Sequence, residues 1–370
     1  MPTGGTKMIL TYKLRHNRDF SDELKKAFAV AEFAVMNPDC RTSKAVKEIG
    51  LKSAISNQLL KKYGNQKKIK KVHRVNMVIP GQSIKVDRES RIIRVVPLNL
   101  TLNYQFPDFQ KVNQIEIDAE YAYVSCTVIE EPEMVPRQFI GVDRNTTGHV
   151  AVAANPDTGK IEKLGKKASH THRKYSAIRK RLQKQGKFRK LKAIKDRESR
   201  IVKDLNHKIS RKIVDMAKEQ DAALVFEDLN GIRKTRKQHR SFKYALHSWS
   251  FYQLQQFVEY KAKLLGVPVL YVDPAYTSQD CSRCGTRGQR NGKEFKCPVC
   301  GHVDHADVNA AFNIALRQKS MVDRVQKEMY TMGALIPHDA LMEPMNVRTP
   351  QALAVGVCQI RCNRRKTRGC

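Results

Sequence analysis

Two Cys-x-x-Cys pairs, Cys281/Cys284 and Cys297/Cys300, stand 12 residues apart and constrain this 370-residue chain more than any other feature. Each pair bends so that both sulfurs can meet one tetrahedral ion at about 2.3 Å. Gly285 and Gly301 follow the pairs where a tight turn aims backbone amides at sulfur, Pro298 stiffens the second knuckle, and Phe295 gives the ribbon an apolar ring to fold around. A disulfide-stapled loop is the competing reading. The other cysteines, Cys40, Cys126, Cys358, Cys362 and Cys370, bring the total to nine. An odd count, with no apolar leader ending in small residues, favours reduced thiols in the cytoplasm and one structural Zn²⁺ on the paired set. Four sulfurs close the coordination sphere, so the ribbon supplies shape and the chemistry must lie elsewhere.

The charge balance points to the partner. Lys and Arg number 69 against 36 Asp and Glu, a net +33 at neutral pH. Such a field repels itself unless a polyanion compensates it, which selects nucleic acid. No run approaches the roughly 18–20 apolar residues of a membrane span, so no membrane partner is expected. A hydrophobic share of 41% is enough for real cores. Charge is densest over 163–213, with 20 Lys and Arg against three acids. A charge run is usually a solvated face; here acids are too few to neutralise it, which favours phosphate contact. The candidate contacts are Arg173, Lys174, Arg179, Lys180, Arg181, Lys184, Lys187, Arg189 and Lys190, with Thr277 and Ser278 beside the cysteine module. Leu182, Ile194, Ile201, Leu205 and Ile209 form an apolar seam that packs the basic helices onto a sheet.

Residues 1–137 combine a strand at 8–14, helices over 20–36 (Ser21 as N-cap) and 42–62, and then several period-two stretches. This pattern predicts a small barrel or sandwich around a helical insert at about 20–75. Pro132 and Pro136 mark a boundary. From 138 onward, strands at 139–143, 149–154, 222–229 and 267–273 alternate with helices over 163–213, 250–266 and 307–317. The expected organisation is an α/β domain over 138–274, the cysteine insert at 275–303, the rest of the α/β domain at 304–317, and a flexible basic tail at 318–370.

Three apolar elements begin or end in an acid. Asp143 ends FIGVD and Glu227 ends LVFE, with Asp228 an equally placed rival; Asp304 and Asp307 precede the helical run VNAAFNIA. Strand ends converge at a sheet's edge, and carboxylates gathered there repel one another unless a divalent cation intervenes. Hard oxygen ligands suit Mg²⁺ or Mn²⁺. A pair of such ions can activate water and stabilise a leaving 3′ oxygen. Singly, each acid has a plainer role as a turn, surface or capping residue. Together, on the elements of an RNase H-like sheet, they read as a metal nuclease.

The segments GVDRN, VFEDLNGIR, HSWSFYQLQQFVEYKAKLLGVPVLYVDPAYTSQDCSRCG and CPVCGHVDHADVNAAFNIA resemble the TnpB family of transposon-encoded proteins, relatives of type V CRISPR effectors and Fanzor proteins. The resemblance covers about 138–317 and is only architectural before that. It implies an α/β RNase H-like (RuvC-type) nuclease with a four-cysteine zinc insert, behind an N-terminal wedge-like β-barrel carrying a helical recognition insert. It further implies a guide RNA from the transposon end and cleavage of double-stranded target DNA beside a short motif. By the same likeness Asp143, Glu227 and Asp307 are the catalytic, Mg²⁺-binding acids, and Asp307 is preferred to Asp304 because the family's acid directly precedes a hydrophobic-Asn-Ala-Ala run. Cys281, Cys284, Cys297 and Cys300 hold zinc. Arg144 departs from the small residue that many relatives carry after the first acid. A monomer with one RNA, associated with the nucleoid of a prokaryotic cytoplasm, is the expected setting. Two alternatives are a guide-directed repressor, expected to lack one of the acids, and an unguided nuclease or transposase, which would not need so large a basic surface.

Overall fold

The computed structural model describes residues 7–66, 69–145, 148–229 and 251–331. They form two compact units, parted between Glu130 and Glu131, just ahead of the two prolines.

In the first unit, β1 (Lys7–Arg15) leads into α1 (Ser21–Met36), which buries Ala27, Val30, Ala31 and Ala34 along one helical face. Phe20, not Ser21, occupies the N-cap; Ser21 is already helical, and its amide donates to the Asp19 carboxylate at 2.9 Å. The helix predicted over 42–62 is divided. A 3₁₀ segment (Ser43–Ile49) ends at left-handed Gly50, and α2 (Ser53–Gly64) follows. The strands then pair as two separate ladders. One is fully antiparallel in the order β1-β7-β6-β2, using β2 (Met77–Pro80), β6 (Lys111–Ile117) and β7 (Tyr121–Ile129). The other joins β3 (Ile84–Asp87), β4 (Ile92–Val95) and β5 (Leu100–Asn103). Of the barrel or sandwich expected, the described residues form two sheets that no ladder joins, with Ile79, Ile93, Val95, Ile115 and Val124 in one shared core.

The second unit is built on a five-stranded sheet of order β10-β9-β8-β11-β12. Strands β8 (Gln138–Arg144), β9 (Ala151–Ala154) and β10 (Ile161–Leu164) meander antiparallel. Strands β11 (Ala222–Glu227) and β12 (Val269–Val272) run parallel to β8. The β8 to β11 crossover includes the basic helices α3 (Lys166–Lys184), α4 (Phe188–Ala193) and α5 (Arg197–Glu219). The apolar seam is partly realised: Leu182 and Ile209 are buried, whereas Ile201 is 40% exposed. Helix α6 (Phe251–Leu264) precedes β12; its expected cap, Ser250, lies outside the described residues.

Period-two alternation assigns the two faces of this sheet. Ile140, Val142, Leu224 and Phe226 pack with Ile213 and Val214 of α5 and with Leu254 and Val258 of α6. Phe139, Ala223 and Val225 pack instead with Ile314 and Ala315 of the last helix, α7 (Ala306–Thr331). Asp143 and Glu227 continue the second series, so both acids lie on the α7 side. Gly141 stands between Phe139 and Asp143 in that series. A Cβ on it would lie 1.9 Å from the Ala311 carbonyl oxygen and 2.7 Å from the Ala315 amide nitrogen. Only glycine permits so close an approach of strand and helix.

Helix α7 continues to Thr331, through the first part of what was expected to be a flexible tail. Its extension is anchored: Arg317 donates to the Asp273 carbonyl at 2.6 Å and to that of Ala275, Lys319 pairs with Asp157, and Val322 packs beside Ile314. Residues 332–370 lie outside the described set.

Gly141→Ala is expected to lower stability by at least about 2 kcal/mol, because backbone rather than a pliable side chain blocks the added methyl. Urea unfolding followed by circular dichroism checks this; an unchanged midpoint would contradict it.

Candidate active site and candidate metal ribbon

The three acids are brought together from three elements. Asp143 is at the end of β8, Glu227 at the end of β11, and Asp307 in the first turn of α7. Asp143 is 9% exposed and Asp307 fully buried. Burial, followed by the negative charges of Glu227 and Asp307, pushes the Asp143 carboxyl up to about 7. Burial also raises Glu227, against the lowering effect of a hydrogen bond from Thr277. The rival acids are placed differently. Asp228 is exposed, while Asp304 accepts the His305 amide at 2.6 Å and lies 3.8 Å from His302.

Each acid has its own partner. Asn145 donates to Asp143 at 2.8 Å, and the Thr277 hydroxyl donates to Glu227. Asp307 receives Lys293 Nζ at 2.6 Å and an Arg290 guanidinium nitrogen at 3.3 Å. Glu227 and Asp307 are therefore close enough to raise Asp143, yet the three carboxylates are not drawn into one tight set. Among the described residues, the cysteines are the group of three or more metal-ligating side chains whose ligand atoms all fall within 4.8 Å of one another. Three carboxylates between the sheet and α7, two of them buried, are nonetheless the donor chemistry that a hard divalent cation satisfies. That chemistry fits Mg²⁺ or Mn²⁺ better than a softer ion.

The cysteine module is a three-stranded ribbon of β13 (Gln289–Asn291), β14 (Glu294–Lys296) and β15 (Val303–His305). Sulfur atoms of Cys281 and Cys300 are 3.6 Å apart, and those of Cys284 and Cys297 are 3.5 Å apart. A tetrahedral ion with about 2.3 Å bonds needs edges of roughly 3.8 Å, so the cluster could hold zinc. The backbone amide of Cys300, then the Thr286 hydroxyl, lowers the Cys297 thiol to about 6, while Cys300 in the same cluster is raised. Phe295 is buried at the ribbon's centre, as its sequence position implied.

Several supporting residues escaped sequence reasoning. Asn309 bridges the ribbon to α7, accepting the Ser282 amide at 2.9 Å and donating to the Asp280 carbonyl at 2.7 Å. Asn313, one turn on, donates to the carbonyls of Thr277 and Asp280 at 2.8 and 2.6 Å. The signal was there: two asparagines on the buried side of an apolar helix need backbone partners. Arg144 turns away from Asp143 toward the opposite face, where it donates to the Glu227 carbonyl at 3.0 Å and to Gln255. His305 accepts the Asp307 amide at 3.3 Å and so caps α7.

Of the proposed nucleic-acid contacts, Arg173, Lys174, Lys180, Arg181, Lys184, Lys187, Arg189 and Lys190 are exposed. Arg179 is instead paired with Glu198, which also meets His172 at 2.7 Å. Thr277 is buried on Glu227 rather than facing a strand, and Ser278 is half-buried.

Asp143 also makes a pH-dependent contribution to stability. Its folded carboxyl titrates near 7, against about 3.9 in an unfolded chain. The folded state therefore binds the extra proton between those values. This stability is complete below about pH 4 and is lost as the pH rises through 7. With chelator present, the advantage of Asp143→Asn over the unsubstituted protein is expected to grow by about 1–3 kcal/mol from pH 5 to pH 8. An advantage that stays flat in urea titrations at the two pH values would contradict the assignment.

Residues 251–314 match the family model described as Cas12f1-like, TNB domain. The chain is 32% identical over 197 residues to a CRISPR-associated endodeoxyribonuclease, Cas12f1 of Sulfoacidibacillus thermotolerans, covering 48% of this chain and 45% of that protein. It is 38% identical over 175 residues to a TnpB-like protein of Methanocaldococcus jannaschii, covering 45% of this chain and 60% of that one. The chain thus spans about half the length of these curated relatives. A solved complex of Cas12f1 with single-guide RNA and target DNA is similar at a TM-score of 0.42 and 19% identity, over 84% of this chain and all of that one. Over its matched segments this chain is similar to TnpB-like and Cas12f proteins.

Proposed function

We propose that this protein is an RNA-guided, divalent-metal-dependent endonuclease that cuts double-stranded DNA beside a short target-adjacent motif. The observation that carries the proposal is the gathering of Asp143, Glu227 and Asp307 where the sheet faces α7, near enough that the other two raise the first, within a chain of net charge +33. The sheet order, with three antiparallel strands followed by two parallel to the first, supports an RNase H-like, RuvC-type reading. The names of the relatives, endodeoxyribonuclease and TnpB-like protein, agree with it.

In this reading Asp143, Glu227 and Asp307 hold Mg²⁺ or Mn²⁺ against the scissile phosphodiester. Bound there, the ions supply an activated water and stabilise the leaving 3′ oxygen. Asn145 and Thr277 orient the first two carboxylates. Arg290 and Lys293 bring positive charge to Asp307. The ribbon carries one structural Zn²⁺, while the first unit and the basic helices grip guide RNA and target DNA through their backbones, leaving sequence to base pairing. The working form is one chain with one RNA in the prokaryotic cytoplasm, on the nucleoid. No helix among the described residues is long and apolar enough to cross a membrane.

Protein purified with its own locus is expected to carry one abundant small RNA and to linearise a matching plasmid only with Mg²⁺ or Mn²⁺. Asp143→Ala should keep the RNA and lose cleavage. Equal cleavage by the variant would refute the site, while RNA-loaded protein that binds the plasmid without cutting it would favour a repressor. Absence of a specific RNA would favour an unguided nuclease. Metal analysis should find one zinc per chain, falling to near zero in Cys281→Ser/Cys300→Ser; undiminished zinc in that variant would contradict the ribbon assignment.

A further inference from the structure

The tip of the basic helical hairpin presents an aromatic ring among uncompensated cations. Helix α3 ends at Lys184, and the chain reverses at Gly186, whose φ of +63° is left-handed. The turn is fixed by its own backbone: the Lys187 amide donates to the Leu182 carbonyl at 2.9 Å and the Gly186 amide to that of Gln183 at 3.0 Å. Leu182 is buried beneath it. Phe188 follows as the first residue of α4 and is 68% exposed. Its position is thus set by an ordered turn, yet its ring is not covered.

The electrostatics change along the hairpin. At its base, Glu198 is engaged by both Arg179 and His172. Beyond that pair no acid occurs from Lys166 to Lys195. Lys184, Lys187, Arg189, Lys190 and Lys192 surround Phe188 in sequence, and none forms an ion pair among the described residues. A single exposed apolar side chain is ordinary on a protein surface. An exposed phenyl ring in a cluster of unpaired cations matches the two components of a single-strand binding platform, a face for a base and charges for its phosphates.

We propose that Phe188 is a base-stacking residue: its ring takes an unpaired nucleobase while Lys187, Arg189 and Lys190 hold the flanking phosphates. The inference rests on the nucleic-acid reading of the protein and adds to it a residue and a mode of contact. The base can belong to RNA or to a DNA strand, since every base offers the same π face.

The test uses the full-length protein with two single-stranded oligonucleotides, one RNA and one DNA, each carrying 2-aminopurine. Stacking is expected to change the probe's fluorescence on binding, and a change with RNA alone, DNA alone or both identifies the source. Phe188→Ala should weaken binding about 5- to 100-fold and abolish the fluorescence change while leaving the salt slope intact. Phe188→Trp should retain both binding and the change. Arg189→Ala/Lys190→Ala should flatten the salt slope instead. Wild-type affinity and an undiminished signal in Phe188→Ala would overturn the inference, with nucleic-acid binding by the protein left standing. Failure of the unsubstituted protein to bind either oligonucleotide, with or without its copurified RNA, would overturn the nucleic-acid reading beneath it.

Discussion

The second unit depends on one close approach, that of β8 to α7 at Gly141. The strand meets the helix backbone with no side chain between them, at the carbonyl of Ala311. Asp143 is two residues along the strand and Asp307 one turn back along the helix, so this contact sets how near their carboxylates lie. The exclusion of a Cβ is a short-range steric constraint, and it positions charges that would otherwise drive strand and helix apart. Packing of Val308 and Ala311 against Val152 and Ala154 adds apolar burial on the same face and offsets part of that repulsion.

The ribbon is not merely attached to this centre. Strand β15 runs directly into α7, Asn309 and Asn313 tie the loop ahead of the ribbon to the same helix, and Thr277 from that loop reaches Glu227. Arg290 and Lys293, on and beside the β13–β14 hairpin, reach Asp307. A metal held by the four sulfurs would have no open position for chemistry, yet order imposed on the ribbon would reach two of the three carboxylates through these contacts. The division between a structural ribbon and a separate reaction centre, natural from sequence, is softened by these contacts.

What the sequence made legible follows from short-range rules. The two Cys-x-x-Cys pairs carry their geometry in their spacing. The acids at the ends of FIGVD and LVFE are legible because period-two alternation puts them on one sheet face. The choice of Asp307 over Asp304 rested on resemblance; Asp307 is buried at the start of α7, whereas Asp304 is half-buried on β15. The parts that stayed hidden involve partners distant in sequence. Asn309 and Asn313 satisfy carbonyls some 30 residues earlier, and Arg144 serves a strand 83 residues away. Ser21 looked like a cap until Asp19 took its amide. The extension of α7 past residue 317 depends on Arg317 and Lys319 finding oxygens on distant loops, which no periodicity in 318–331 announces.

The central claim is that Asp143, Glu227 and Asp307 hold divalent cations jointly. Direct titration of zinc-loaded protein with Mn²⁺, counted by electron paramagnetic resonance, measures that sharing without reliance on turnover. The account predicts saturable Mn²⁺ binding that is sharply weakened in each of Asp143→Asn, Glu227→Gln and Asp307→Asn, with zinc content unchanged. Binding that survives all three substitutions would contradict it.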